Sequence, residues 1–433
     1  MRFPTLDDIA PSPAPPVGSV TWIDRLECIY AVLVMLHIAT LALGRAPIAM
    51  TAYPLVVVAL IIAIARRHVV VSLPLIAATA LSLWCIASNL LSPHGAPALA
   101  LGRLAPLLVA IALTQNLPTR AFDVGLRLLL VLASAAAIYG VIQHLTGANI
   151  FDPTGAPLKP APDSPRYLAT GFHTIHNYLG MTASLWVAIA ACLGLDAWRR
   201  GDRRLLAFAV LSLALVGVVL LVSFGRAGWV AAFVVLALAP LLVRVRRGGL
   251  LPIALSLAAL VIVVTNESLR ARLLTIFSLE ANADRAQVLD VNLRLIEAMP
   301  WHGHGFGAYE KIAAPIQRAL YPERPFWFGA HSDAFQVLIE TGWVGLGLFA
   351  SMWVAFFWTA ARRLWGKRRC TESVRWRIGL AFLIGVAFVI CGVTQTALKC
   401  YEAFSLLAVA IGILGQSNEA PSRFRDQKVG DVV

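Results

Sequence analysis

Residues 205–243 read LLAFAVLSLALVGVVLLVSFGRAGWVAAFVVLALAPLLV. One helix needs roughly 20 apolar residues to cross a bilayer, and this stretch holds enough for two. Its single charge, Arg226, stands between Gly225 and Gly228, which suit a tight turn or a break. The stretch therefore predicts two spans, 204–224 and 227–243. Working outward, further apolar runs occupy 27–44, 48–65, 69–91, 98–115, 122–143, 172–196, 249–266, 342–361, 378–397 and 401–415. The expected fold is an all-α polytopic membrane protein with about twelve transmembrane helices. Composition agrees: 59% of residues are hydrophobic and 14% charged, against about a quarter charged in soluble domains. No internal repeat is evident.

The net charge of +13 could suggest a nucleic-acid partner. The placement of the basic residues argues for none. They form short clusters between apolar runs: Arg66-Arg67, Arg199-Arg200, Arg203-Arg204, Arg244 to Arg247, and Arg362-Arg363 with Lys367 to Arg369. These follow alternate spans, the pattern of positively charged cytoplasmic loops. Both termini then lie inside. The outer side receives 45–47, 92–97, 144–171, 225–226, 267–330 and 398–400. Residues 1–25 read as a cytoplasmic tail rather than a cleavable signal, because Met1 to Ser19 is Pro-rich, carries Asp7 and Asp8, and has no apolar core. Helices 1–9 fill 26–266, helices 10–12 fill 342–416, and 417–433 is a second cytoplasmic tail. The six cysteines show no CxxC spacing and only Cys400 falls near an outer surface, so no disulfide framework is expected.

The segment 267–341 stands apart. An outer loop of this length in a chain of short loops is more often functional than passive. A helix is expected over 284–299, with Val288, Leu289, Asn292, Leu293 and Ile296 at amphipathic spacing. Pro300, Gly303, Gly305 and Gly307 end it. A second helix begins near Ser332 and runs into the span at 342.

Several residues on the outer side could carry chemistry. Arg226 is either an anion clamp, since guanidinium matches phosphate in a bidentate fork, or an arginine snorkelling to the interface. Arg285 and Arg294 lie nine positions apart, about two and a half turns, so they face roughly opposite ways and need not share a site. His331 precedes a helix and can accept a proton near neutral pH. Alternatively, it is incidental to an N-cap made by Ser332 or Asp333. Thr170 to Asn177, which includes His173 and His176, lies at the entry to a span, lining a cavity or marking the interface; Lys159 and Arg166 add positive charge upstream. No metal site is expected. His302 and His304 are close, but no HExxH, DxD or carboxylate cluster accompanies them. No Walker A or GxGxxG pattern is present, and carboxylates are nearly absent from the spans, which weighs against a proton-coupled transporter.

These elements together resemble the O-antigen ligase and polymerase superfamily of bacterial envelope glycosyltransferases. The likeness rests on three segments. Ser223 to Trp229 is similar to an SxGRxxW pattern. Arg285 precedes a Pro-x-x-Gly-x-Gly-x-Gly turn, Pro300 to Gly307. His331 is followed by Glu340-Thr341-Gly342. Ser332 and Leu289 depart from the asparagine and tryptophan that many relatives carry, and neither change removes a chemically active group.

The resemblance implies transfer of a glycan from undecaprenyl diphosphate without a metal, nucleotide or other cofactor. A ligase would pass it to lipid A–core; a polymerase would pass it to another lipid-linked chain. It casts 267–341 as a helical periplasmic loop domain of an inner-membrane protein. Arg226 and Arg285 would bind the diphosphate, and His331 would act on the acceptor hydroxyl with inversion at the anomeric carbon. Arg166, His176 and Arg294 are further candidates for substrate contact. The partners expected are the two lipid-linked substrates and the surrounding membrane lipids. A lipid or polysaccharide transporter and a scaffolding membrane protein are the competing classes.

Overall fold

The computed structural model describes residues 22–66, 70–95, 105–151, 158–161, 166–173, 175–243, 261, 264–275, 278, 283–324, 329–366 and 371–416. The expected span at 249–266 lies almost wholly outside these residues. So do most of both tails, Arg67, the Arg244–Arg247 cluster and 367–370. In chain order the helices are α1 (Trp22–Thr40), α2 (Arg45–Arg66), α3 (Leu73–Leu91), α4 (Ala105–Gln115), α5 (Thr119–Thr146), α6 (His176–Arg200) and α7 (Arg203–Val222). They continue with α8 (Arg226–Val243), α9 (Glu267–Leu274), α10 (Ala283–Glu297), α11 (Tyr309–Leu320), α12 (Asp333–Trp365), α13 (Glu372–Thr394) and α14 (Tyr401–Gly415). Among the described residues there is no β-strand, only an isolated bridge between Pro160 and Tyr167. The chain is an all-α polytopic membrane protein. Eight of these helices (α2, α3, α5 to α8, α12 and α13) are long and apolar enough to cross a membrane. α4 and α14 are shorter apolar helices. α1 carries Asp24, Arg25 and Glu27 near its start, and Glu27 is ion-paired with Arg66.

Burial divides the helices into a centre and a rim. From Leu179 to Ala197, α6 is buried on every side, as expected of a helix apolar all round. Its alanines, with Gly180 and Gly194, let α7, α8 and α13 approach closely. A Cβ built on Gly228 of α8 would stand 2.4 Å from the Gly180 carbonyl oxygen, so α6 and α8 touch backbone to backbone. The rim is apolar outward. Met50, Ile64, Leu90 and Val354 are each two-thirds or more exposed. Burying such a side chain is worth about 1.5–3 kcal/mol, so lipid and not water is the solvent that suits this surface.

The described basic clusters Arg66, Arg199-Arg200, Arg203-Arg204 and Arg362-Arg363 gather at one end of the bundle, as their alternate spacing predicts. Several pair there, as Arg200 does with Asp196 at 2.6 Å and Arg377 with Asp123 at 2.7 Å. α9, α10 and α11 sit at the opposite end, called here the loop end.

The glycine turn after α10 has a specific task. α12 breaks at Gly342, where φ is +70°. A break frees carbonyls of the preceding turn, and buried carbonyls need partners. The turn supplies them: the His304 N–H donates to Ile339 O at 2.9 Å and the Gly305 N–H to Glu340 O at 2.8 Å. α3 adds two more, from Ser88 Oγ to Glu340 O at 3.0 Å and from Trp84 Nε1 to Thr341 O at 2.8 Å. A Cβ on Gly342 would stand 2.0 Å from Trp301 O. Gly342→Ala is therefore expected to destabilise the fold by about 2–4 kcal/mol. Gly347→Ala, where a Cβ meets nothing within 4 Å, should be neutral or slightly stabilising. Thermal unfolding of the two variants in detergent checks this; equal midpoints would contradict it.

The loop helix α10 falls where expected, but its buried face is rotated. Val288, Val291, Asn292 and Leu295 point inward, while Leu289 and Leu293 are exposed. Both stripes fit a helical period and both contain Asn292. The tertiary partners of Asn292, described below, select one. α9 and α11 were not expected from periodicity.

Candidate functional site

The site begins at the α7–α8 turn. Ser223 Oγ donates to Leu220 O at 2.7 Å and accepts from the Gly225 N–H at 3.3 Å. Trp229 Nε1 donates to the same Leu220 carbonyl at 2.8 Å. These contacts explain the Ser, Gly and Trp of the motif as turn-building residues. They leave Arg226 at the first position of α8, where backbone N–H groups and the helix dipole favour an anion.

Arg226 is half-buried and its Nη1 donates to Thr275 Oγ1 at 2.9 Å. That hydroxyl in turn donates to Arg272 O at 2.6 Å. Arg272 Nε reaches back to Phe224 O at 3.4 Å. Arg272 thus joins the site from α9, a residue that sequence reasoning missed. Its signal was slight: one more arginine in a long outer loop. Arg285 enters from α10 and acts electrostatically on Arg226, Arg272 and His331. Burial, and then the Arg285 charge, hold Arg272 below the ordinary guanidinium value; burial does the same to Arg285. Among the described residues neither Arg272 nor Arg285 forms an ion pair with a carboxylate. Three cations converge, a costly arrangement that an anionic ligand would relieve.

His331 lies beside this cluster in an unusual backbone state. It and Phe224 are the non-glycine residues at positive φ among those described, at +52° and +54°. Such conformations persist only when the surroundings hold them. Here the clamp is visible. The Ala330 N–H donates to Gln336 Oε1 at 3.1 Å, and Asn292 Nδ2 donates to Ala330 O at 3.0 Å. Tyr309 OH donates to Asn292 Oδ1 at 2.7 Å. Glu340 closes the circuit, accepting from Gln336 Nε2 and from the Tyr309 N–H. Behind His331, Asp333 Oδ1 accepts from the Leu398 N–H at 3.0 Å, tying α12 to the segment before α14.

Burial pushes the His331 imidazole below its ordinary value; Arg285 and then Lys399 push the same way, and Asp284 opposes them. The folded state therefore holds fewer protons on His331 than the unfolded chain. The neutral ring persists to lower pH, and its contribution to stability is present above about 6.5 and lost as pH falls. If neutral His331 is the working form, the acid limb of the kcat/KM profile should lie below pH ~6.5. A limb centred well above that value in the wild-type profile, and absent in His331→Asn, would contradict the direction.

The remaining candidates separate. Arg294 is exposed and paired with Asp290 at 3.3 Å, turned away from Arg285. Arg166 is exposed and its Nη1 donates to Leu145 O at 3.4 Å. His176 opens α6 within electrostatic reach of Arg272 and Lys159, at the margin of the cation cluster. Lys399 is another unforeseen neighbour of His331; its Nζ pairs with Glu310 at 3.0 Å and lies 5.7 Å from the Tyr309 ring centroid.

Three half-buried guanidinium groups, beside an imidazole whose pKa burial lowers, could hold an anionic group next to a proton acceptor. Comparison with known proteins bears on the same segment. Residues 211–350 match the family model described as O-antigen ligase. A search of the curated proteins finds none that matches the chain. The matched residues contain Arg226, Arg272, Arg285, His331 and the glycine turn that braces α12. Over residues 211–350, about a third of the chain, this multi-pass membrane protein is similar to the O-antigen ligase family.

Proposed function

We propose that the chain is an O-antigen ligase that transfers a glycan from undecaprenyl diphosphate to lipid A–core at the periplasmic face of the inner membrane. The observation that carries this reading is the convergence of Arg226, Arg272 and Arg285 on the side of the bundle where His331 stands. Diphosphate is a good leaving group, so the protein needs cations to hold it and a base for the acceptor hydroxyl. His331 takes the acceptor proton, or hydrogen-bonds to that hydroxyl, as its oxygen attacks the anomeric carbon. The C–O bond to diphosphate breaks as the new glycosidic bond forms, and attack from the opposite face inverts the configuration. The positive ends of the spans lie away from the site, which agrees with an outward-facing active centre.

Glycan analysis of a deletion strain tests the assignment. Lipid A–core without O-antigen, with long lipid-linked polymer accumulating, is the expected result. Core carrying a single repeat would make the chain a polymerase instead.

A further inference from the structure

A second cluster of reactive side chains lies at the loop end, separate from the arginines. His173 comes from the turn before α6, and Cys400 and Glu402 come from the start of α14. All three are buried. One ligand atom from each lies within 4.8 Å of the other two. Glu402 stands at the centre: Oε1 is 3.6 Å from His173 Nδ1 and Oε2 is 3.5 Å from Cys400 Sγ. The Thr182 hydroxyl flanks the sulfur at 3.5 Å.

We propose that His173, Cys400 and Glu402 bind a divalent zinc ion that pins the α6 entry to the start of α14. The donor set mixes nitrogen, sulfur and oxygen, which suits a borderline-soft ion. Donors at ordinary zinc bond lengths around one tetrahedral ion stand roughly 3.3–3.6 Å apart; the separations above, one to each Glu402 oxygen, are of that size, and the three donors within 4.8 Å need only a small inward shift. The charge also balances: one dication, one thiolate, one carboxylate and one neutral imidazole sum to zero, the condition that a low-dielectric interior favours. A second observation points the same way. His173 Nε2 has no hydrogen-bond partner and Nδ1 has nothing nearer than the 3.6 Å contact to Glu402 Oε1, although the side chain is 1% exposed. Buried polar atoms are rarely left so, and a coordinated ion would satisfy one of them. The site is distant in role from the transfer chemistry, which needs no metal under the proposed mechanism.

The test uses the full-length chain purified in detergent without chelator or added metal. Elemental analysis should find about one zinc per chain, falling to background in Cys400→Ser. After chelation, titration with cobalt(II) should give a thiolate-to-metal charge-transfer band in the near ultraviolet. That band should disappear in Cys400→Ser and persist in Cys192→Ser, whose thiol lies elsewhere in α6. Should Cys400→Ser fail to accumulate, His173→Gln and Glu402→Gln serve, each expected to weaken cobalt binding at least tenfold. Absence of both zinc and the band in the wild-type chain would overturn the proposal. So would zinc that survives undiminished in all three variants. A plain hydrogen-bonded Glu–His–Cys cluster would give the first of these results.

Discussion

His331→Asn should lower turnover about 10²–10⁴-fold, the usual worth of a positioned base, while binding of the undecaprenyl diphosphate donor persists. Asparagine is the informative substitution. His331 sits at φ +52°, where asparagine is tolerated and alanine is strained. His331→Ala should lose the same turnover and also some stability. His331→Gln would retain activity if hydrogen bonding, and not proton removal, is what the ring supplies. Purified enzyme with donor and acceptor, and product anomericity read by NMR, decides the matter. Full activity of His331→Asn, or retained configuration, would remove His331 from the mechanism.

The second large effect is expected at Arg285. A hydrogen bond to a charged group contributes about 1.5–3 kcal/mol, so Arg285→Ala should cost roughly 10–150-fold in transfer. Arg285→Lys should also impair it, because lysine keeps the charge and loses the bidentate fork. Stability should move the other way. Arg285 crowds Arg226 and Arg272, so removing it relieves repulsion in the ligand-free protein and should raise the Tm. This opposition of activity and stability is the mark of a functional cluster; a structural arginine would lose both together. Arg226→Ala should lose transfer without that gain, since it also breaks the bond to Thr275. Arg294→Ala should change little, because its partner is the exposed Asp290 on its own helix. Normal transfer by both Arg226→Ala and Arg285→Ala would defeat the diphosphate assignment.

Much of the fold was legible because each membrane span must satisfy its own backbone and therefore writes its length into the sequence. The break at Gly225, the start of α10, the glycine turn and the entry of α12 near Ser332 all follow from local signals of that kind. The separation of Arg285 from Arg294 followed from helical period alone. Other features had no local signature. The face that α10 buries depended on Asn292 meeting Ala330 and Tyr309, residues 38 and 17 positions away. Arg272 joins the cations only because α9 folds back on the α7–α8 turn. The positive φ of His331 is held by Gln336 and Asn292 from two different helices. His173 and Cys400 are more than two hundred positions apart, and only the packing of α6 beside α14 brings them together. Sequence alone marked the eight segments whose helices are long and apolar enough to cross a membrane, because that property is written segment by segment. Tertiary structure decided which charged and reactive groups converge, because convergence depends on helix order and rotation, and those are set by packing between segments distant in the chain.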